Sequence, residues 1–381
     1  MQSGDGKDPG QDAQTIDSIR VLGVQWKDVS IKWGDFETMP GRWESVVGAY
    51  QNAGIRIVIE LVSDPYCISQ YQQNCKESKS VEQYSAWIKN VVFRYSGLGV
   101  HNWQIENHAN APRHFWRAGK QVGPPEEFAR ILNVAYDAVK EADSVGEVSI
   151  QLGSFAEEKK DDPRDAIQYL TGILKENGRF DVLWVVVIGS LLENGDARLR
   201  EARALMTEYW GKEKPIWSTT SEWGGGTIGG ETQSEEYQAE MLEKKAQFLR
   251  EQGVSTMFWY KLRDAFDPNE PPPDFPGNYN QLGGLMRNDF SPKLAYYRYQ
   301  EVIQRTASTI SRTSSTSTSS SVATTTSLTS PTTPPSTPAM TLGSAVAGIV
   351  LTGTAVILAV IAATRKRRRP FKTSVRSLGS P

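Results

Sequence analysis

The sequence is poor in the residues on which metal and redox chemistry depend. Its 381 residues include 2 cysteines and 3 histidines. The histidines are His101, His108 and His114, and they do not follow the spacing of a metal-binding motif. Two cysteines are too few for a disulfide scaffold, whereas 39% apolar residues suffice for an ordinary core. We therefore predict a folded domain with no resident metal and no other cofactor.

Positive charge is also scarce outside the C-terminus. The last seventeen residues carry seven basic groups and no acid; without them 35 basic residues face 44 acidic ones, a net charge of −9 for residues 1–364. A nucleic-acid binder needs a basic face, so we predict no nucleic-acid partner. No Gly-x-Gly-x-x-Gly motif follows the first predicted strand, which argues against a dinucleotide-binding fold.

The composition changes abruptly after residue 305. Of the 33 residues in 306–338, 23 are Ser or Thr and 4 are Pro. Such a segment cannot bury a core and stays extended. We predict a surface stalk over 306–340, either O-glycosylated or a plain disordered linker. The polar, Gly-rich residues 1–14 are predicted to be disordered as well.

Residues 341–364 form a run of 24 without a charged side chain. At 1.5 Å per residue, this run is long enough for a bilayer core of about 30 Å. The sequence RKRRR follows at once, and the positive-inside rule places the basic tail, 365–381, in the cytoplasm. We predict a single-pass protein of the cell membrane with residues 15–305 outside the cell. A buried soluble helix and a cytosolic domain with a tail anchor are the alternatives.

Between residues 15 and 305, short apolar runs alternate with longer amphipathic ones. This pattern indicates an α/β fold with a parallel sheet covered by helices, and the length favours a (β/α)8 TIM barrel, whose chemistry lies at the carboxyl ends of the strands. Seven strands are clear, and the missing one is predicted to be the third, after Cys67. The predicted strands are 21–26, 56–62, 101–106, 147–152, 181–188, 216–220 and 256–260, with an extra turn at 29–33. The predicted helices are 42–53, 81–95, 125–142, 164–176, 196–210 and 234–252.

The two cysteines, Cys67 and Cys75, lie in the polar segment DPYCISQYQQNC. Outside the cell they could form a local disulfide. Two unpaired thiols are the alternative.

Three predicted strand ends read WQIENHAN (103–110), IWSTTSEWGGGT (216–227) and FWYKLRDAFD (258–267). They resemble the clan A retaining glycoside hydrolases, in particular family 39 β-xylosidases and family 5 cellulases. WESVVGAYQNAGIRIVIELVSDP resembles their first helix and second strand, FDVLWVVVIGS their sixth strand, and NYNQLGGLMRNDFSPKLAYYRYQ their closing segment. The resemblance covers nearly the whole body. It implies a barrel that binds carbohydrate, and in such enzymes two carboxylates about 5–5.5 Å apart hydrolyse the glycosidic bond.

Both carboxylate positions implied by the resemblance are occupied by other residues. His108 takes the place of the acid/base Glu that follows Asn107, and Thr220 takes the place of the nucleophile. On the sixth strand, Val186 and Ile188 replace the substrate-facing His and Tyr. We therefore predict that the retaining mechanism has been lost.

Two other carboxylates, Glu106 and Glu222, lie two residues from these positions. At about 3.3 Å per residue their opposite shifts put them about 14 Å apart, too far for a retaining pair. His108 and Glu222 would lie about 8.5 Å apart, inside the range of about 6.5–9.5 Å for inverting chemistry. In that alternative His108 is the acid and Glu222 activates water.

Further residues at the strand ends are predicted to bind substrate, the tryptophans by stacking on a sugar and the polar residues by hydrogen bonds to its hydroxyls. These candidates are Trp33, Trp223, Trp259, Asn107, Thr220 and Asp264. Each tryptophan could instead be a core residue. Asp264 could instead pair with Arg263, and Glu60 is interpreted as structural.

The sequence thus predicts a membrane-anchored, extracellular, glycoside-hydrolase-like protein that binds an oligosaccharide or polysaccharide. An active O-glycosyl hydrolase with the displaced His108–Glu222 pair is one alternative. A surface adhesion or structural module, whose barrel binds protein, is another.

Overall fold

The computed structural model describes residues 13–68, 77–111, 122–156, 162–188, 191–222, 224–228, 231–266 and 282–316. Its strands are β1 (Trp26–Lys32), β2 (Arg56–Val62), β3 (Tyr66–Cys67), β4 (Glu77–Ser78), β5 (Asn102–Ile105), β6 (Glu147–Leu152), β7 (Val182–Ile188), β8 (Ile216–Ser221), β9 (Gly226–Ile228), β10 (Glu231–Gln233) and β11 (Thr256–Trp259). Its helices are α1 (Ala13–Leu22), α2 (Trp33–Thr38), α3 (Arg42–Asn52), α4 (Val81–Ser96), α5 (Pro125–Ala142), α6 (Ala166–Lys175), α7 (Leu191–Trp210), α8 (Glu235–Glu251) and α9 (Leu294–Thr316).

Seven of the strands form one parallel sheet in the order β1-β2-β5-β6-β7-β8-β11. The contact between Trp26 of β1 and Trp217 of β8 shows that the sheet is curled. Both rings lie on its inner face, with 5.4 Å between their centroids. Trp184 and Phe258, from β7 and β11, belong to the same inner cluster. A much larger apolar core joins the outer face of the sheet to the helices. The α/β barrel-like fold expected from the sequence is therefore confirmed.

The first predicted strand was placed too early. Residues 21 and 22 end helix α1, and β1 instead occupies Trp26–Lys32, where an extra turn was expected. Gly23, at φ 77°, supplies the left-handed conformation that ends the helix. The charges of Lys27 and Asp28 obscured the strand in the sequence, and in the fold they pair with each other at 3.0 Å.

The prediction of a third barrel strand in the polar stretch after Cys67 was wrong. Strand β2 pairs directly with β5, with Ile59 opposite Trp103, so no strand lies between them. Tyr66–Cys67 and Glu77–Ser78, on either side of the polar stretch, form a separate two-stranded sheet. In the described residues the sheet ends at β1 and β11, and any gap in the barrel lies between those two strands.

Helix α9 runs past the predicted domain boundary at residue 305 and ends at Thr316, so the start of the predicted stalk is helical. The rest of the stalk, the predicted span 341–364 and the basic tail lie outside the described residues. Within the described part of the chain, no helix has both the length and the apolar composition needed to cross a membrane.

Candidate functional site

The register of the sheet decides which side chains of β8 face the inside of the barrel. Val186 of β7 pairs with Thr219, whereas Val187 pairs with Thr220. Trp184, an inner residue, donates from Nε1 to Thr219 Oγ1 at 2.7 Å. Val187 belongs to the core beneath the helices, so Thr220 faces the helices too. Thr220 is fully buried, and it is not placed to bind a substrate inside the barrel.

Glu222 follows β8 and interacts with helix α8. Its carboxylate pairs with Lys245 Nζ at 3.0 Å, and that ammonium also donates to the Ser221 carbonyl at 2.8 Å. The Lys245 side chain is fully buried, and burial lowers its pKa. Gln238, also on α8, donates to the Glu222 carbonyl at 2.8 Å. The carboxylate that was considered as a catalytic base is thus the counter-ion of a buried lysine.

The chain leaves strand geometry directly after β5. Glu106 and His108 both have positive φ, 55° and 44°. Glu106 is fully buried; its carboxylate accepts from the Ser63 amide at 3.0 and 3.2 Å and from the Tyr84 hydroxyl at 3.4 Å. It therefore connects the end of β2 to helix α4.

His108 is half-buried at the carboxyl end of the barrel. Its ring lies against Gly153, where a methyl group would sit 3.3 Å from the imidazole. The backbone beside it is fixed, because the Ala109 amide donates to the Gln151 carbonyl at 3.0 Å. His108 therefore lies at the mouth of the barrel.

The tryptophans expected to stack on a sugar are buried where the structure describes them. Trp259 is 0% exposed and donates from Nε1 to the Gly283 carbonyl at 2.9 Å. Trp33 is 3% exposed and stacks on Trp87, with 5.1 Å between ring centroids. Both are core residues, because their rings are covered by protein. Trp223 lies outside the described residues.

Asp264 is part of a buried ion pair instead of a hydroxyl-binding site. It pairs with Lys293 Nζ at 2.5 Å, where Arg263 was the expected partner, and accepts from the Gly284 amide at 2.8 Å. Lys293 also donates to the Gly224 carbonyl at 2.9 Å. Burial raises the pKa of Asp264 to about 6. The pair connects the segments that follow β8 and β11 to the start of α9.

Of the two cysteines and the remaining histidines, the structure describes Cys67 and His101. Cys67 is disulfide-bonded, but Cys75, the other cysteine of the chain, lies outside the described residues, so their pairing stays a prediction. His101 pairs with Asp143 at 3.0 Å, and His114 is not described. In the described ranges, no three His, Cys, Asp or Glu side chains come together as metal ligands.

The main polar group inside the barrel, of which only Asn107 was predicted from the sequence as a binding residue, is called the inner polar cluster. It consists of Ser30 on β1, Glu60 on β2, Gln104 on β5, Gln151 on β6 and Asn107 after β5. Gln104 Nε2 donates to Glu60 Oε1 at 3.1 Å, and the side chains of Ser30 and Asn107 also hydrogen-bond Glu60. The strand register places Ser30 beside Glu60 and Glu60 beside Gln104.

Glu60 is the acid of this cluster, and its pKa is strongly raised. Burial, followed by the negative charge of Asp28, raises its pKa from 4.5 to about 7; the hydrogen bonds from Ser30 and Asn107 act in the opposite direction. The carboxyl is 5% exposed. An acid titrating near neutrality inside a barrel is a mark of a functional site, although structural acids can titrate there as well.

No protein-family model and no curated protein matches the sequence. Solved structures do match. A glucosidase from Croceicoccus marinus is 18% identical with a TM-score of 0.58, over 80% of this chain and 66% of that one. A GH5_18 enzyme from Bifidobacterium longum subsp. longum, in complex with Manb1-4GlcNAc, is 13% identical with a TM-score of 0.58, over 78% and 74%. The Ignisphaera aggregans GH53 catalytic domain is 17% identical with a TM-score of 0.54, over 76% and 88%.

The chain has the barrel fold of these glycoside hydrolases. It spans only 66% of the glucosidase, and 46% of a β-galacturonidase from Eisenbergiella tayi and of a β-D-glucuronidase from Dictyoglomus thermophilum. At these identities the likeness concerns the fold alone, so activity has to be argued from the site.

Proposed function

We propose that this protein is a glycoside-hydrolase-like carbohydrate-binding protein that lacks the retaining two-carboxylate mechanism. The observation that carries the proposal is the use of the two nearby acids in structural contacts. The Glu106 carboxylate accepts hydrogen bonds from the Ser63 amide and the Tyr84 hydroxyl, and the Glu222 carboxylate is paired with the buried Lys245. A retaining enzyme needs two carboxylates facing one glycosidic bond, and neither of these acids is free for that role.

Carbohydrate binding is supported by the inner polar cluster. Its carboxyl, amide and hydroxyl groups are the hydrogen-bonding types that sugars use, and they lie inside the barrel near the carboxyl ends of the strands, where this fold binds ligands. The structural neighbours include enzymes in complex with galacturonate and with Manb1-4GlcNAc.

The proposal includes attachment to the cell membrane. The uncharged run 341–364 spans the bilayer, the barrel domain lies outside the cell, and the basic tail 365–381 lies in the cytoplasm. Protease treatment of intact cells tests this topology. An epitope fused to the tail should be protected while the barrel is digested; digestion of the epitope would contradict the orientation.

The central experiment measures binding and turnover on the same preparation. The full chain, purified in detergent, is applied to a glycan array and incubated with a panel of p-nitrophenyl glycosides. We expect binding to at least one glycan and no release of p-nitrophenol. Sustained release, with retention of anomeric configuration, would overturn the loss of the retaining mechanism.

Active hydrolysis by His108 and Glu222 is the second candidate, favoured by the position of His108 at the barrel mouth. Glu222→Gln removes the carboxylate that would activate water, and it is compared with the parent protein in the Lys245→Met background, where the buried lysine no longer needs a counter-ion. If the protein hydrolyses an aryl glycoside and this variant does not, the displaced pair is supported. Equal turnover by both proteins would reject the pair.

A further inference from the structure

The helix layer does not fully cover the start of strand β11. Met257 of this strand packs against the core beneath the helices, whereas its neighbour Phe258 faces the inside of the barrel. The residues beside Met257 in the same row of the sheet, Ser218 of β8 and Val185 of β7, are both 0% exposed. Met257 itself is only half-buried. An opening in the helix layer therefore reaches the outer face of the sheet at this strand.

The opening is a groove between helices α8 and α9, at the amino end of β11. It encloses a cavity of about 160 Å³, which has room for roughly five water molecules. The apolar side chains that line it are Ala246, Leu249, Val254, Met257 and Val302. A short hydrocarbon chain fits this cavity, and its burial there removes apolar surface from water. We call the cavity and its rim the α8–α9 groove.

The rim of the groove carries one guanidinium group on each helix, from Arg250 of α8 and Arg305 of α9. The carboxylate of Glu243, on the same rim, is shared between Arg305 at 2.7 Å and Arg298 at 3.1 Å. Arg250 is exposed, and it pairs with no acid among the residues that the structure describes. Arg250 is therefore the cation of the rim that is available to an anionic ligand.

The C-terminal end of α8 lies beside Arg250, and a helix C-terminus disfavours an anion where its carbonyl groups are unpaired. Here two of these carbonyl groups are hydrogen-bonded. The Arg250 carbonyl accepts from the Gly253 amide at 3.0 Å, and the Gln252 carbonyl accepts from the Arg203 guanidinium at 2.6 Å. The end of α8 therefore does not cancel the attraction of the Arg250 side chain for an anion.

An apolar cavity beside an available guanidinium group selects a ligand with two parts. A carboxylate matches the planar guanidinium through two parallel hydrogen bonds, and an aliphatic chain fills the cavity over Met257. Acetate would leave the cavity empty, a neutral alcohol would leave Arg250 unpaired, and an amine would be repelled by it. The chemistry of the groove therefore fits a short aliphatic monocarboxylate.

We propose that the α8–α9 groove binds a short aliphatic monocarboxylate, with its chain on Met257 and its carboxylate on Arg250. The groove is separate from the proposed carbohydrate site, because Val254 and Ser255, which line it, precede β11, whereas the barrel mouth lies at the carboxyl ends of the strands. Binding in the groove does not depend on carbohydrate binding, and either can exist without the other.

Nuclear magnetic resonance of the full chain in detergent, labelled with ¹³C at the methionine methyl groups, tests the site. Among the 7 methionines, Met257→Leu identifies the signal of the groove by its loss. Hexanoate is the probe; acetate lacks the chain, and 1-hexanol lacks the charge. We expect hexanoate to shift the Met257 signal until it saturates, and to leave the signal of Met206, a core residue that is 0% exposed, unchanged.

Acetate and 1-hexanol should each bind at least about fivefold more weakly than hexanoate. An ion pair at an exposed rim is worth up to about 1 kcal/mol, which is about fivefold in affinity, and the buried chain is worth more. If 1-hexanol binds as tightly as hexanoate, the role of the carboxylate is wrong. If acetate binds as tightly, the cavity does not hold the ligand.

Two variants separate the parts of the site. Arg250→Gln should weaken hexanoate binding about fivefold, and Ala246→Leu, which fills part of the cavity, about tenfold. Lys244→Gln is the matched control, because it removes a positive charge from the same helix outside the groove, and it should leave the affinity unchanged. Circular dichroism checks folding, and if Ala246→Leu does not fold, Arg250→Gln decides the result alone.

The proposed site is wrong if hexanoate does not shift the Met257 signal, or if the parent protein and Arg250→Gln bind it equally. A loss of affinity in Lys244→Gln as large as that in Arg250→Gln would also reject it, because the effect would then come from the overall charge of the helix. The glycan array tests carbohydrate binding separately, so failure in the groove leaves the proposed function standing.

Discussion

The Glu60 carboxyl should make the stability of this protein depend on pH in a way that one substitution removes. Its pKa is raised from 4.5 to about 7 by burial and by Asp28. The folded protein therefore holds the proton more tightly than the unfolded chain. Glu60→Gln replaces the carboxyl by an amide of the same shape that carries no charge at any pH.

The sign of the effect follows from the direction of the pKa shift. Below pH 4.5 the carboxyl is protonated in both states, and its favourable contribution to folding is complete. That contribution is lost as the pH rises towards 7, because the unfolded chain releases the proton while the buried group resists ionisation. A shift from 4.5 to about 7 corresponds to about 3 kcal/mol.

Urea unfolding of the full chain at pH values from 4 to 8 measures this effect. The free energy of unfolding of Glu60→Gln, relative to the parent protein, should rise by about 3 kcal/mol between pH 4 and pH 8. Asp28 and Glu106, the charged groups facing Glu60, are present in both proteins, so the difference isolates Glu60. Glu147→Gln, at an exposed position at the start of β6, is the control for removing one carboxyl group from the chain.

A difference between Glu60→Gln and the parent protein that does not change with pH would refute this reasoning. It would mean that the carboxyl titrates at the same pH in the folded and unfolded states. A difference that falls with rising pH would mean that Glu60 is stabilised as an anion.

Four further substitutions, at Glu222, Thr219, Thr220 and Trp33, test the contacts around β8 and the barrel mouth, each by urea unfolding. Glu222→Gln should lower the free energy of unfolding by about 3 kcal/mol, because it leaves the buried Lys245 without its counter-ion. Adding Lys245→Met to this variant should recover most of the lost stability. If it recovers none, the Glu222–Lys245 ion pair does not explain the loss. Thr219→Val should destabilise the protein by about 1–3 kcal/mol, because it removes the acceptor of an indole N–H. Thr220→Val should instead stabilise it by about 1 kcal/mol, because Oγ1 of Thr220 has no hydrogen-bond partner among the residues that the structure describes. Equal effects of these two threonine variants would contradict the assigned faces of β8. Trp33→Ala should cost about 3–5 kcal/mol, as for any large core side chain, and a loss below about 1 kcal/mol would place this ring at the surface.

Much of the fold could be predicted because the signals are local. The predicted and observed bounds agree for strands 56–62 and 147–152 and for helix 125–142. A nearly continuous apolar run marks strand 56–62, polar–apolar alternation marks strand 147–152, and the Pro-Glu-Glu start marks the helix. Strand β1 was missed because Lys27 and Asp28 interrupt its apolar pattern, although each neutralises the other in the fold.

The sequence could not predict which β8 side chains point into the barrel and which point towards the helices, because polar and apolar residues do not alternate along this strand. Residues Ser218, Thr219, Thr220 and Ser221 are all polar and at most 1% exposed, so neither polarity nor burial separates the two faces. A shift of one residue moves every side chain to the other face of the sheet. The resemblance placed the catalytic position on Thr220, and only pairing with β7 assigns that residue to the helix side.

Glu60 was interpreted as structural because of the apolar residues around it in the sequence. It lies in RIVIELV, which is otherwise a buried apolar strand, and a single acid there is easily taken as structural. One pattern could have identified it: Glu60, Gln104 and Gln151 are polar residues on the inner face of three strands that are adjacent in the sheet. Recognising it requires the order of the strands, and the wrongly expected third strand would have separated β2 from β5.

The sequence by itself determined the alternation of strands and helices, because hydrophobic periodicity and helix-end signals depend on neighbouring residues. The tertiary structure decided what each acid does. Glu106 bonds Ser63, 43 residues away, Glu222 pairs with Lys245, 23 residues away, and Glu60 bonds Gln104, 44 residues away. A buried carboxyl is defined by the partners that solvate it in place of water. Only the folded chain brings those partners together, and it thereby leaves Glu60 as the acid that titrates inside the barrel.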